Sequence, residues 1–197
     1  KSDTARAKFI AVIWFLCKYP CHADIIRGEL RSQNQNMDAN ALATLPYLNG
    51  FINEVLRLLP PAMTGNGRIV GSGGLVIDGK FIPAHTKVVA PKFVIQRLPT
   101  AFKDPEAFIP ERWYSHLELL LNRNAFRPFG AVGNRSCVGK DLAYTEVRQV
   151  TAMILERFLV SFAPGYNDSA FFGDMKDCLT AQPGNVFCIF QRSLWDA

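Results

Sequence analysis

A glycine-rich stretch in the last third of the chain, Phe129-Gly130-Ala131-Val132-Gly133-Asn134-Arg135-Ser136-Cys137-Val138-Gly139, delivers one cysteine to the head of a strongly helical segment. Over residues 138–159, Ala143, Val147, Val150, Ile154 and Phe158 recur every three or four positions, a single apolar face at the helical period. The spacing predicts a helix there, with Cys137 at its N-cap or in its first turn. Unpaired N–H groups and the helix dipole favour an anion at such a position. A free thiol has a pKa of about 8.5, and a helix N-terminus with a nearby cation lowers it. Gly133 and Gly139 lack a Cβ and so allow close approach by something large and flat. Arg135 can pair with an anionic group of that ligand. The same residues also fit a buried structural thiol beside a simple turn, the usual fate of a lone cysteine.

Upstream, residues 45–61 (LPYLNGFINEVLRLLPP) read as a helix ended by a proline pair. Glu54 and Arg57 share one face of it; on a solvated surface such a pair contributes only about 0.2–0.5 kcal/mol. Leu75-Val76-Ile77 and Lys80-Phe81-Ile82 flank Asp78-Gly79, a type I′ hairpin signal. Pro83 ends the second strand, and residues 87–90 read as a third. Near the C-terminus, residues 160–165 and 186–190 read as partner strands, with residues 179–185 as a turn. Residues 33–40 read as an Asn- and Gln-rich loop between helices. At the start, Ser2-Asp3-Thr4 precedes a segment whose apolar residues continue through Phe9, Val12, Ile13, Phe15 and Leu16; by itself it is a helix cap.

The composition is globular, with 49% hydrophobic and 20% charged residues. A net charge of +5 could suit nucleic acid, but the basic residues are scattered rather than gathered into a run, so no nucleic-acid partner is expected. The longest apolar run, Phe9 to Cys17, falls far short of the roughly 20 residues a membrane span needs. Five cysteines at irregular spacing argue against a disulfide framework, and no CxxC pair or histidine cluster suggests zinc. Cys17 and Cys21 are read as core packing, and His22, His85 and His116 as structural or solvated.

The stretch from Gly133 to Gly139, followed by Leu142-Ala143 and Glu146, resembles the haem-binding signature of the cytochrome P-450 family. Glu54 and Arg57, followed by Pro110-Glu111-Arg112-Trp113, resemble the family's ExxR helix and its later PERF-type segment, in the same order. Asp3-Thr4 resembles the end of its oxygen-activating motif, with Lys1 where glycine is usual. Phe129 lies one residue further from the cysteine than the family pattern, and Val132 reads as an insertion. The resemblance covers essentially the whole chain and only the C-terminal half of the family.

The resemblance implies a mainly α fold with a small β region (α+β), residues 1–197 forming part of one cytochrome P-450 domain. It implies haem b as cofactor, its iron ligated by the Cys137 thiolate, with Phe129 against the sulfur. Arg135 and Arg68 would meet haem propionates, though Arg68 also reads as a solvated arginine in a glycine-rich loop. Glu54, Arg57 and Arg112 would form a buried structural network. Asp3 and Thr4 would relay protons. The implied activity is a haem-dependent monooxygenase acting on O2 and a small organic substrate, with a fungal secondary-metabolism flavour. Electrons would come from a reductase docked on a basic proximal face that includes Arg123, Arg127, Lys140 and Arg148. The alternative is a truncated, non-catalytic remnant that keeps the haem-loop half. A full-length eukaryotic member would sit at the endoplasmic reticulum membrane through an N-terminal anchor; the isolated chain would be cytoplasmic or unstable. Apolar faces that pack on the rest of such a protein make self-association of this chain the expectation.

Overall fold

The structure, a computed structural model, describes residues 3–65, 67–130 and 135–193. It opens with α1 (Asp3–Lys18), which carries Asp3 in its first turn and Lys18 in its last, each at the end of the dipole that favours it. The chain then bends by 104° into α2 (Pro20–Ser32), where Pro20 takes the first helical turn and forfeits no intrahelical bond. Asp38 caps the short α3 (Ala39–Ala43) by accepting from the N–H groups of Asn40 and Ala41. α4 (Pro46–Leu58) also begins on proline, and a second helix supplies its cap: the Glu29 carboxylate of α2 accepts from Tyr47 N and Leu48 N, both at 2.8 Å.

α4 is the spine of the core. Leu48, Phe51, Ile52, Val55 and Leu56 are buried completely or nearly so, among side chains from α1 and α2. Beyond it, β1 (Arg68–Ile69) pairs antiparallel with β4 (Lys87–Val88), and β2 (Leu75–Ile77) with β3 (Lys80–Ile82). Asp78 and Gly79 both hold positive φ, 48° and 72°, as a type I′ turn requires. The strand read over residues 87–90 is shorter and joins β1 rather than extending the hairpin.

After α5 (Lys92–Ile95) the chain winds through three 3-10 turns, Pro110–Trp113, Leu117–Leu119 and Arg123–Ala125, and reaches α6 (Lys140–Arg157). The helix expected over 138–159 thus starts later, with Gly139 as its N-cap. Its buried stripe also differs: Val147, Thr151, Ala152 and Leu155 face the core, while Ala143, Val150, Ile154 and Phe158 are half-buried. α6 meets α1, α2, α3 and α4 together, and the stripe follows that meeting rather than the apolar repeat alone.

β5 (Phe158–Phe162) continues directly from α6 and pairs with β8 (Cys188–Arg192), Phe158 opposite Arg192 and Phe162 opposite Cys188. Between them lie α7 (Ala170–Gly173) and a hairpin of β6 (Lys176–Cys178) and β7 (Thr180–Gln182). The turn read over residues 179–185 is strand over Thr180–Gln182 only; the reversal is at Leu179, φ 70°, and residues 183–185 are irregular.

The pairing of Cys17 with Cys21 as core residues holds for one only: Cys17 is buried, whereas Cys21 lies exposed beyond the bend at Pro20. Burial pushes the Cys17 thiol up to about 12. In the folded chain at pH 8, iodoacetamide is expected to label Cys21 and Cys178 and to spare Cys17 until denaturant is added, read by peptide mass spectrometry. Labelling of Cys17 at the rate of Cys21 would contradict this placement.

Candidate functional site

Glu54 lies in the middle of α4 with no solvent exposure, and N–H donors converge on its carboxylate. Arg57, one turn on, donates from Nε to Oε2 at 2.9 Å and from its terminal nitrogen to Oε1 at 2.8 Å. Arg112 donates to Oε1 at 2.9 Å, and the backbone N–H of Ile109 to the same oxygen at 3.0 Å. Trp113 Nε1 donates to Oε2 at 2.9 Å. The bidentate Arg57 fork is the strong form of the interaction.

The remaining guanidinium N–H groups are spent on main chain. Arg57 reaches the carbonyls of Gln96, Pro105 and Ala107, and Arg112 those of Lys103, Asp104, Ala107 and Leu119. Both side chains are fully buried. A segment with little regular structure between Gln96 and Leu119 is thereby lashed to α4. Glu54, Arg57 and Arg112 are brought together; Trp113 joins them through a contact the sequence did not announce, although it adjoins Arg112.

The cysteine loop follows. The N–H of Cys137 donates to Phe129 O at 3.0 Å, closing the loop across its base. Gly130 needs its glycine, since φ is 88°. The Phe129 ring lies 5.1 Å from that of Tyr144 on α6 (centroid to centroid), and Tyr144 Oη donates to Asn53 on α4 at 2.9 Å. Burial pushes the Tyr144 phenol up to about 12, so it stays a donor. Cys137 stands two residues before the N-cap, outside the first turn of α6 where the sequence placed it, and its carbonyl accepts from Lys140 N at 3.2 Å. The physical reason is that Gly139, not Cys137, adopts the capping position.

Cys137 is exposed on an open stretch that mixes apolar and charged side chains: Val138 is fully exposed and Leu142 is 64% exposed, with Arg135, Lys140 and Asp141 exposed beside them in the chain. A Cβ on Gly139 would come only to ordinary contact, 3.9 Å from Cys137 Sγ. Arg135 flanks the cysteine on the exposed side. Lys92 Nζ donates to Pro128 O at 3.3 Å; burial pushes its pKa down while the charge of Cys137 pulls it back up. Arg68 is exposed on β1, its guanidinium donating to Gly67 O at 3.1 Å. Asp3 and Thr4 are exposed in the first turn of α1. Among the described residues, no hydrogen bond joins Asp3, Thr4, Arg68 or Arg135 to the cysteine. Gly133 and Val132 lie outside the described residues.

This donor set suits a particular cofactor. One soft sulfur on an open surface, with exposed Val138 and Leu142 for apolar contact and Arg135 and Lys140 for anionic groups, fits a flat hydrophobic macrocycle with anionic side groups whose metal takes a thiolate. It does not fit a bare ion, since no group of three or more His, Cys, Asp or Glu side chains gathers among the described residues. The comparisons agree with that chemistry. Residues 3–189 match the family described as Cytochrome P450.

The chain belongs to the cytochrome P450 family. The cytochrome P450 monooxygenase nodW of Hypoxylon pulicicidum is 40% identical over 167 residues, 83% of this chain and 31% of that protein. The cytochrome P450 monooxygenase sthD of Phaeosphaeria nodorum is 35% identical over 96% of this chain and 40% of its own length. The chain thus spans well under half of these curated relatives. Among solved structures, the retinoic acid bound cyanobacterial CYP120A1 superposes with a TM-score of 0.84 at 23% identity, covering 97% of this chain and 43% of that one. The mainly α architecture with small sheets is that of the P450 fold. The family's cofactor is haem, ligated through a cysteine thiolate.

Replacing Glu54 by Gln removes the one carboxylate that pairs with Arg57 and Arg112 among the described residues and leaves two buried guanidinium groups short of a counter-charge. Breaking a buried pair in this way costs about 3–5 kcal/mol. Chemical denaturation of the variant should show a loss of that size, and Arg57→Lys, which removes the bidentate fork, a smaller one. A change under about 0.5 kcal/mol, the size of an ordinary surface substitution, would contradict the hub.

Proposed function

We propose that the protein to which this chain belongs is a haem-thiolate monooxygenase that acts on a small organic molecule, with Cys137 as the iron ligand. The exposed Cys137 thiol, on a loop closed by Phe129 and braced against two helices, carries this reading. When bound, haem supplies activation of O2 with two externally delivered electrons and transfer of one oxygen atom to the substrate. The chain's own residues prepare for that chemistry. Cys137 would present its sulfur from a backbone anchored by its N–H bond to Phe129 O. Arg135 and Arg68, both exposed, would pair with the propionates. Asp3 and Thr4, adjacent in the first turn of α1, would hold and pass protons between carboxylate and hydroxyl.

Substrate choice would draw on residues 62–64 and the β6–β7 hairpin, two segments joined by hydrogen bonds. Ala181 N donates to Pro61 O at 2.7 Å, and the Thr64 hydroxyl donates to the Asp177 carboxylate. An electron-donor protein of acidic surface would dock through exposed Arg123 and Lys140, with Arg127 beside them. Arg148 contributes less to that face, because its guanidinium donates to Asn49 at 2.6 Å and lies over Tyr144. By the same reading the whole protein works at the endoplasmic reticulum membrane through an N-terminal anchor. Among the described residues, no single helix is long and apolar enough to cross a bilayer.

The test is the absorption spectrum of haem-loaded protein, reduced and exposed to carbon monoxide. Thiolate ligation gives a strongly red-shifted Soret band, and Cys137→Ala is expected to abolish it. A haem-loaded wild-type protein without that band, or a variant that keeps it, would overturn the assignment. Absence of the band would instead favour the non-catalytic remnant.

A further inference from the structure

At the C-terminal end of α4, Leu59 N closes the helical ladder on Val55 O at 2.7 Å, and the three carbonyls beyond it, of Leu56, Arg57 and Leu58, have no helical donor, as at any helix end. Gln96, on the loop just beyond α5, takes two: its side-chain amide donates to Leu56 O at 3.0 Å and Arg57 O at 2.9 Å. Arg97 takes the last, donating to Leu58 O at 2.6 Å, and sets a cation at the negative end of the helix dipole. The contact is reciprocal, because the Arg57 guanidinium donates to the main-chain carbonyl of Gln96 at 3.0 Å.

Gln96 has one polar atom left, and it faces the cysteine loop. Its Oε1 accepts the N–H of Arg127 at 2.9 Å. Lys92, one helical turn earlier, holds the next residue through Pro128 O at 3.3 Å. Phe129, the next again, receives the N–H of Cys137. Gln96 is wholly buried, and both amide hydrogens and the amide oxygen are used.

We propose that Gln96 is a positioning residue for the haem ligand: it ties the C-terminal end of the Glu54 helix to the start of the Cys137 loop through one side-chain amide. The role in haem binding rests on the assignment of Cys137 above; the mechanical link between helix and loop does not, and the two can be tested apart. Gln96→Met keeps the volume and removes the hydrogen bonds. It leaves a buried N–H at Arg127 and two buried carbonyls without partners, a costly state.

The first readout needs no haem. Hydrogen exchange in peptides covering residues 126–130 should quicken by about tenfold, equivalent to about 1.4 kcal/mol of local stability, while peptides of α1 keep their wild-type rate. Exchange unchanged at 126–130, or raised uniformly along the chain, would overturn the link. Gln96→His, which restores one donor and one acceptor, should give an intermediate rate; if the Met variant does not fold, the His variant carries the test by the same comparison. The second readout is the haem-loaded protein with carbon monoxide. The Met variant should convert from the red-shifted to the unshifted Soret species about tenfold faster than wild type. Leu155→Ala, a core truncation on α6, should leave that conversion at the wild-type rate. Equal acceleration in both variants would reduce Gln96 to an ordinary core residue. Should wild-type protein lack the shifted band, the haem assignment fails, and the exchange experiment still decides the link.

Discussion

Glu54 carries a negative charge into an interior that cannot hydrate it, and Arg57 and Arg112 bring two positive charges to the same place. None of the three could be buried alone, because desolvation costs several kcal/mol per ion. Together they are tolerable only if nearly every N–H and lone pair is used, and that demand organises the surrounding chain. The guanidinium groups have more donors than one carboxylate can accept, so the surplus goes to backbone carbonyls. These belong to residues 96–119, a stretch held by short 3-10 turns and side-chain bonds. The irregular segment is ordered because the charges need its carbonyls.

From that hub the order passes to the cysteine loop by two routes. One runs through Gln96 to Arg127. The other runs from Asn53, the neighbour of Glu54, through Tyr144 to the ring of Phe129. Around Cys137 the described side chains are open: Val138 and Leu142 are exposed, and so is Cys137 itself. What holds Cys137 is backbone hydrogen bonding and the rigidity of what lies beneath. A surface that presents a ligand to a large flat group must stay open on one side and stiff on the other, and this arrangement separates the two.

What the sequence made legible was local. Glu54 and Arg57 are three residues apart, so their shared face follows from helical geometry. Asp78-Gly79 announces its own turn through the two positive φ values. The long-range partners were not legible in the same way. Trp113 reaches Glu54 across 59 residues and Gln96 reaches Arg57 O across 39, and neither residue type signals a partner. The buried face of α6 was misread because Thr151, a polar residue, sits in the middle of it. Lys8 was missed for a similar reason: its ammonium is buried against Ala143 O at 2.9 Å, with Glu146 at 3.4 Å, where an apolar pattern records only a charge. Cys137, expected at the N-cap or in the first turn, lies two residues before the cap because Gly139 takes that position. The order of the family motifs, rather than any one of them, is the signal in the sequence that connects Arg112 to Glu54.

The central claim is that this scaffold presents the sulfur of Cys137 to haem iron. X-ray absorption at the iron K-edge of the haem-loaded protein reads the ligand atoms directly. The account predicts one sulfur neighbour in the first shell of the wild-type protein, lost in Cys137→Ser. A first shell of nitrogen and oxygen alone in the wild type would contradict it.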